Sequence, residues 1–123
     1  DSFDQIIGIE ISKSACADFA FNLDRYEHIS LYEETVERAL PAINISPDCV
    51  VLDPPRKGMN RFALDALVEK KAPVLIYISC NPSTLARDVK RLMRSGYLLE
   101  RSVLVDMFPQ TYHIESVNYL TRK

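Results

Sequence analysis

Apolar runs alternate with helix-like segments along this chain, and that alternation constrains the fold more than any other feature. The runs cover residues 6–11, 28–32, 48–53 and 73–79, and each precedes a segment whose apolar residues recur at helical spacing. Strands that alternate with helices predict an α/β fold with a mostly parallel sheet, covered on both faces. Two further runs, at 97–108 and 113–123, lack a helix between them and predict an antiparallel hairpin.

Reactive side chains lie where three of the predicted strands end. Glu10 ends the first apolar run, Asp53 is followed by two prolines, and Cys80 is followed by Asn-Pro. The carboxyl ends of parallel strands lie at one edge of a sheet, and ligands bind at that edge in open α/β folds. We therefore expect Glu10, Asp53 and Cys80 to converge there.

Cys80 precedes a predicted helix in which Asn81 is the cap and Pro82 is the first helical residue. The positive end of that helix favours a nucleophilic thiolate. A cysteine that ends a buried strand is also commonly just a small apolar residue. Cysteine-histidine catalysis with His113 as the base stays open as well.

The charge of the chain is unevenly distributed. The net charge is −2, yet residues 54–94 contain nine basic and three acidic residues, whereas residues 1–53 contain three basic and eleven acidic ones. A locally basic segment of this kind is typical of a phosphate-binding surface or of a solvated helix face.

Cysteine spacing and hydropathy exclude several classes of protein. Cys16, Cys49 and Cys80 are an odd number at spacings that fit neither a zinc ribbon nor a disulfide framework, so we expect free thiols and no metal site. No apolar run approaches the roughly 18 residues of a membrane span. The first residues lack a signal-peptide pattern, so a cytoplasmic protein is predicted.

Three segments resemble signature blocks of the S-adenosylmethionine-dependent uracil-5 RNA methyltransferases, which form 5-methyluridine in transfer or ribosomal RNA. The segments are DPPRKG (53–58), YISCNPSTLARD (77–88) and DMFPQTYHIES (106–116). The resemblance extends over nearly the whole chain and implies a Rossmann-like methyltransferase fold. The residues of the second and third segments resemble the ribosomal RNA branch of the family more than the transfer RNA branch. This resemblance implies 23S ribosomal RNA as the substrate.

The resemblance also implies the catalytic residues. Cys80 is the implied nucleophile, whose thiolate adds to C6 of uracil and makes C5 able to attack the methyl group of S-adenosylmethionine. Glu115 is the implied base, which removes the C5 proton after methyl transfer. An isolated glutamate in such a segment is otherwise typical of a solvated surface.

The same resemblance implies binding residues. The implied cofactor contacts are Glu10, Glu34 and Asp53. The target base must leave its stack to reach a pocket, and the basic segment would hold its phosphates. The predicted RNA contacts are Arg56, Lys57 and Arg87.

The sequence departs from the family pattern in one respect. The family's cofactor site begins with a strand and a glycine-rich turn, whereas this chain has only Gly8, Gly58 and Gly96, none in a suitable pair. We therefore expect residues 1–123 to be a single partial catalytic domain of a larger enzyme, without the first strand. Alone it would be inactive, and its exposed sheet edges would favour a homodimer.

Two alternatives remain. A cytosine-5 RNA methyltransferase also uses a cysteine at a strand end, but it needs a Pro-Cys pair where this chain has Arg56. A non-catalytic domain that binds RNA or a protein partner would keep the motifs without the chemistry.

Overall fold

The computed structural model describes residues 3–106 and 114–123. The chain forms two compact units, Asp1–Asn44 and Ile45–Lys123, which are described separately. Within the described ranges, no helix is both long and apolar enough to cross a membrane.

The first unit is a parallel pair of strands with two helices. Its elements are β1 (Ile6–Glu10), α1 (Lys13–Leu23), β2 (Ile29–Glu33) and α2 (Val36–Ala42). Ser12 caps α1, because its Oγ accepts a hydrogen bond from the N–H of Ala15 at 3.4 Å. Gly8 allows Phe19 of α1 to pack on the strands, since a Cβ there would lie only 3.2 Å from the side chains of Phe19 and Leu31.

The second unit is a four-stranded mixed sheet with two helices. Its elements are β3 (Cys49–Leu52), α3 (Arg61–Lys70), β4 (Val74–Ser79), α4 (Pro82–Arg94), β5 (Tyr97–Val105) and β6 (Glu115–Arg122). The strand order is β3-β4-β6-β5. β3 and β4 are parallel, whereas β6 is antiparallel to both of its neighbours. The predicted antiparallel hairpin is confirmed, and its second strand lies inside the sheet rather than at the edge.

The core of the second unit lies between the sheet and its helices. Leu67 of α3, Leu75 of β4, Leu92 of α4 and Leu120 of β6 are each 0% exposed. Burial within β4 alternates, with Leu75, Tyr77 and Ser79 buried and the residues between them only half-buried. One face of this sheet therefore packs against α3 and α4.

The opposite face of this sheet is less covered than we expected. Val51 of β3 is 60% exposed, and Tyr119 of β6 and Val103 of β5 are 40% and 42% exposed. The expectation of a sheet covered on both faces is therefore wrong for β3, in which only Leu52 is buried. Burial was overestimated because an apolar run does not show how many faces of a sheet have a covering layer.

Candidate active site

Cys80 lies in a tight turn between β4 and α4. The residues before and after Cys80 are hydrogen-bonded to each other. The hydroxyl of Ser79 donates to the carbonyl of Asn81 at 3.0 Å and accepts from the N–H of Asn81 at 3.1 Å. The side chain of Asn81 then caps α4 by accepting the N–H of Ser83, and Pro82 begins the helix as predicted. The free thiol of Cys80 is thus half-buried at the carboxyl end of β4.

The DPPRKG segment forms a loop after β3. A turn closes between Pro55 and Gly58, where the N–H of Gly58 donates to the carbonyl of Pro55 at 2.8 Å. Gly58 has a φ of +78°, a conformation that other residues rarely adopt. Arg56 and Lys57, the two central residues of the turn, are exposed.

The capping residue Asn81 and two side chains of α4 hold this loop beside Cys80. The carbonyl of Arg56 accepts hydrogen bonds from Asn81 Nδ2 at 3.0 Å and from Thr84 Oγ1 at 2.9 Å. The carbonyl of Lys57 accepts one hydrogen bond, from Arg87 Nη2 at 2.9 Å. The first two signature segments therefore form one continuous surface at the carboxyl ends of β3 and β4.

Arg87 has protein partners that the sequence did not reveal. Its guanidinium lies 3.0 Å from Asp88 Oδ1, and it donates to the carbonyl oxygens of Lys57 and Met59. The side chain is nevertheless 56% exposed, so part of it stays accessible. Its predicted contact with RNA stays a prediction.

Asp88 is a polar residue that the sequence analysis missed. It is 0% exposed, and its Oδ2 accepts hydrogen bonds from the hydroxyl of Tyr77 at 2.6 Å and from the N–H of Met59 at 2.8 Å. Burial and the bond to Asp88 raise the pKa of Tyr77 well above its usual range, so the hydroxyl stays protonated. The sequence contains one indication that Asp88 is buried. It lies three residues after Leu85 and four before Leu92, and therefore on the apolar stripe of α4.

Glu115 reaches the same edge of the sheet as Cys80. β4 and β6 are antiparallel, and Ser79 pairs with Ser116. Cys80 follows Ser79 and Glu115 precedes Ser116, so the two are neighbours across the ladder, just beyond the last pair. Residues 107–113, which include His113 and most of the third signature segment, lie outside the described residues.

Two of the predicted cofactor contacts lie together in the first unit. Glu10 ends β1, and its Oε1 accepts the N–H groups of Ile11 and Ser12 at 3.1 and 3.0 Å. The N–H of Glu34 donates to the carbonyl of Glu10 at 3.1 Å, and the Oε1 of Glu34 accepts the N–H of Thr35. These bonds leave Oε2 of both carboxylates without a partner among the described residues.

Asp53 belongs to the second unit, where it is exposed directly after β3. The predicted strand ends at Glu10, Asp53 and Cys80 are therefore all correct. Convergence of Asp53 and Cys80 with Glu10 stays a prediction.

The other two cysteines differ from Cys80. Cys16 is buried in α1 and its Sγ donates to the carbonyl of Glu10 at 3.4 Å. Burial, with the carboxylates of Glu33 and Glu10, raises the pKa of the Cys16 thiol, which disfavours a thiolate. Cys49 is exposed on β3, and all three thiols are free, as expected.

The chain is similar to known RNA methyltransferases. The family model described as tRNA (uracil-5-)-methyltransferase matches residues 37–123. An RNA methyltransferase of Enterococcus faecalis is 41% identical over 96% of this chain. The 23S rRNA (uracil(1939)-C(5))-methyltransferase RlmD of Haemophilus influenzae is 39% identical over 95% of it. The chain spans only 27% and 28% of these two relatives.

Two solved methyltransferase structures have a similar fold. The tRNA (uracil-54, C5)-methyltransferase of Pyrococcus abyssi, in complex with S-adenosyl-L-homocysteine, has a TM-score of 0.80 and 30% identity; the match covers 95% of this chain and 28% of that one. Precorrin-6y C5,15-methyltransferase from Geobacter metallireducens has a TM-score of 0.75 at 19% identity, with 96% of this chain and 67% of that one covered. The expected Rossmann-like α/β fold is confirmed.

Proposed function

Because the chain belongs to the tRNA (uracil-5-)-methyltransferase family, we propose that it is part of the catalytic domain of a longer enzyme that methylates C5 of uridine in RNA. The observation that carries this proposal is the register of β4 and β6, which makes Cys80 and Glu115 neighbours at one edge of the sheet. A thiol and a carboxylate in that relationship match the two roles that methylation at C5 requires.

The nucleophile is needed because C5 of uracil attacks electrophiles poorly. The thiolate of Cys80 forms a C–S bond at C6, and the electron pair of the C5–C6 double bond moves towards the O4 carbonyl to give an enolate. C5 of this enolate can then form a bond to the methyl group that a bound S-adenosylmethionine would supply, and the electron pair of the broken S–CH3 bond would stay with S-adenosylhomocysteine as the leaving group. Glu115 removes the remaining C5 proton, the double bond re-forms, and the Cys80 thiolate leaves.

Three carboxylates are suited to hold the cofactor. Glu10 and Glu34 each have one oxygen fixed by backbone N–H groups, which leaves the second oxygen available to accept hydrogen bonds from ribose hydroxyls. Asp53 is exposed at the end of β3, next to prolines whose backbone carries no N–H donor. S-adenosylmethionine is therefore the proposed cofactor, with these three residues as contacts.

The proposed substrate is ribosomal RNA, and 23S ribosomal RNA in particular. The 39% identity to the 23S rRNA methyltransferase of Haemophilus influenzae supports this choice, since the tRNA methyltransferase of Pyrococcus abyssi is 30% identical. Arg56 and Lys57 are exposed on the loop beside Cys80, and the accessible part of Arg87 adjoins them. These three cations are the proposed phosphate contacts.

Trapping on 5-fluorouracil RNA tests the function directly. Fluorine at C5 cannot be removed as a proton, so the full-length enzyme should stay covalently joined to such RNA through Cys80 when S-adenosylmethionine is present. A denaturing gel and mass spectrometry of the cysteine peptides would detect the adduct. If the full-length protein binds this RNA but forms no adduct, the result would favour the alternative of a non-catalytic RNA-binding domain.

A further inference from the structure

Asp88 is a buried carboxylate that the proposed chemistry does not use. A buried charge is costly unless it is paired and hydrogen-bonded. Both oxygens of the Asp88 carboxylate have hydrogen-bond partners. Oδ2 accepts from the hydroxyl of Tyr77 and the N–H of Met59. Oδ1 accepts from Arg87 Nε at 3.1 Å and lies 3.0 Å from Arg87 Nη2. So complete a set of partners indicates a specific structural role.

The partners of Asp88 belong to the parts of the molecule that form the proposed site. Tyr77 lies on β4, three residues before Cys80. Met59 ends the loop that carries the exposed cations Arg56 and Lys57. Asp88 therefore connects the strand that leads to the nucleophile with the loop beside it.

Gly58 shows how closely the loop backbone approaches this carboxylate. A Cβ at Gly58 would lie 2.6 Å from Arg87 Nη2, 2.8 Å from Asp88 Oδ2 and 3.0 Å from Thr84 Cβ. Any larger residue would push the loop away from α4, besides straining the positive φ of this residue. The absence of a side chain at Gly58 and the buried charge of Asp88 thus fix the loop at a single distance from α4.

We propose that Asp88 is a positioning residue, which holds the backbone of residues 56–59 in register with Cys80 so that RNA bound on the loop presents its uracil to the thiolate. This inference rests on the proposed methylation of uracil. Asp88 touches neither the base nor the reacting atoms. It acts through Met59 and Arg87, which fasten the loop, and through Tyr77, which fastens the strand.

The main test is the Asp88→Asn variant of the full-length enzyme. Met59 donates to one oxygen of this carboxylate and Arg87 to the other, and an amide replaces one of the two with an NH2 group, so asparagine in the same position must lose one of these bonds. Tyr77→Phe is a milder second variant, which removes one donor and leaves the carboxylate. Asp65→Asn is the matched control, because Asp65 forms an exposed ion pair with Arg91 on the surface of the same unit, also at 3.0 Å.

Adduct formation with 5-fluorouracil RNA separates positioning from stability. At saturating RNA, we expect the rate to fall about ten- to a hundredfold in Asp88→Asn, less in Tyr77→Phe, and not in Asp65→Asn. The final yield of adduct should stay complete, because a mispositioned enzyme reacts slowly, whereas an unfolded fraction does not react. A wild-type rate in both Asp88→Asn and Tyr77→Phe, or a loss confined to yield, would overturn the proposal.

Amide hydrogen exchange at Met59 gives a second readout that needs no RNA. Its N–H should exchange at least about tenfold faster in Asp88→Asn than in the wild-type or Asp65→Asn enzymes. Unchanged exchange would overturn the positioning role, whatever the substrate is. A wild-type enzyme that forms no adduct, together with faster exchange in Asp88→Asn, would refute the uracil chemistry and keep Asp88 as the residue that holds the loop.

Discussion

Ser79 of β4 pairs with Ser116 of β6, and this single pair determines where two reactive side chains lie. Cys80 follows the first serine and Glu115 precedes the second, so residues far apart in sequence are neighbours at one edge of the sheet. Cys80 directly follows β4 and Glu115 begins β6, and each is proposed to act at a different step. Their substitutions should therefore have different consequences.

We expect Cys80→Ala to abolish both methylation and covalent trapping in the full-length enzyme, because no other group can add to C6. Cys49→Ala is the control, since Cys49 is also a free thiol but lies exposed on β3. Transfer of radioactive methyl groups to RNA and gel analysis of adducts measure the two effects. Residual trapping in Cys80→Ala would assign the nucleophile to another residue.

Glu115→Gln should still form the covalent adduct with ordinary RNA but release it slowly, because an amide cannot remove the C5 proton. The methylated adduct would accumulate and turnover would fall by about 10²-fold or more. Glu69→Gln, on the exposed surface of α3, should behave as the wild type. Normal release of methylated RNA from Glu115→Gln would show that another group is the base.

Replacing Arg56 and Lys57 with glutamine should weaken RNA binding and its dependence on salt. Each lost phosphate contact lowers the slope of log K against log salt concentration by roughly 0.7 to 0.9. Lys123→Gln is the control, since Lys123 follows β6 at the opposite edge of the sheet from Glu115. A slope that stays the same would make the basic segment an ordinary solvated surface.

Tyr77 should make stability fall at high pH. Its pKa is raised above the ordinary value of 10.0, first by burial and then by Asp88, so the hydroxyl contributes fully below pH 10. Above that pH, unfolding releases its proton, and the free energy of unfolding should fall by at most about 1.4 kcal/mol per pH unit. Denaturant unfolding of wild type and Tyr77→Phe between about pH 8 and 11 measures this difference. If the difference in unfolding free energy between the wild type and Tyr77→Phe stayed constant over this pH range, the predicted effect of Tyr77 would be refuted.

The 123-residue chain by itself should bind S-adenosylmethionine weakly or not at all and should not methylate RNA. Its three glycines contain no pair for a glycine-rich turn, so the acidic contacts would form an incomplete site. Calorimetric titration with the cofactor is the measurement, and the full-length enzyme is the positive control. Micromolar affinity in the chain alone would contradict the expectation.

Local signals predicted much of this structure. The prolines after Asp53 and Cys80 indicate where two strands end, and Asn81 caps α4 as its side chain suggests. Helix and strand identity depends on neighbouring residues, which a sequence shows directly. The position of Cys80 followed from one of these strand ends, whereas Glu115 was named only from the resemblance to the methyltransferase family.

The features that the sequence did not predict depend on contacts between distant segments. The buried Asp88 is stabilised by Met59, 29 residues away, and no spacing rule reports such a pair. The position of β6 between β4 and β5 likewise depends on which strands pair with each other, and β4 and β6 are distant in sequence. Exposure of β3 was missed for the same reason, since burial depends on what packs against a strand.

The interior placement of β6 bears on the order in which the protein can assemble during synthesis. β4 and β5 both pair with β6 and not with each other, so β5 leaves the ribosome before its pairing partner exists. Pairing between segments distant in sequence is slow, and unpaired strand edges are prone to aggregate in the meantime. A nascent chain that stalled after β5 would therefore expose unpaired strand edges, and it would carry Cys80 before Glu115 had been made.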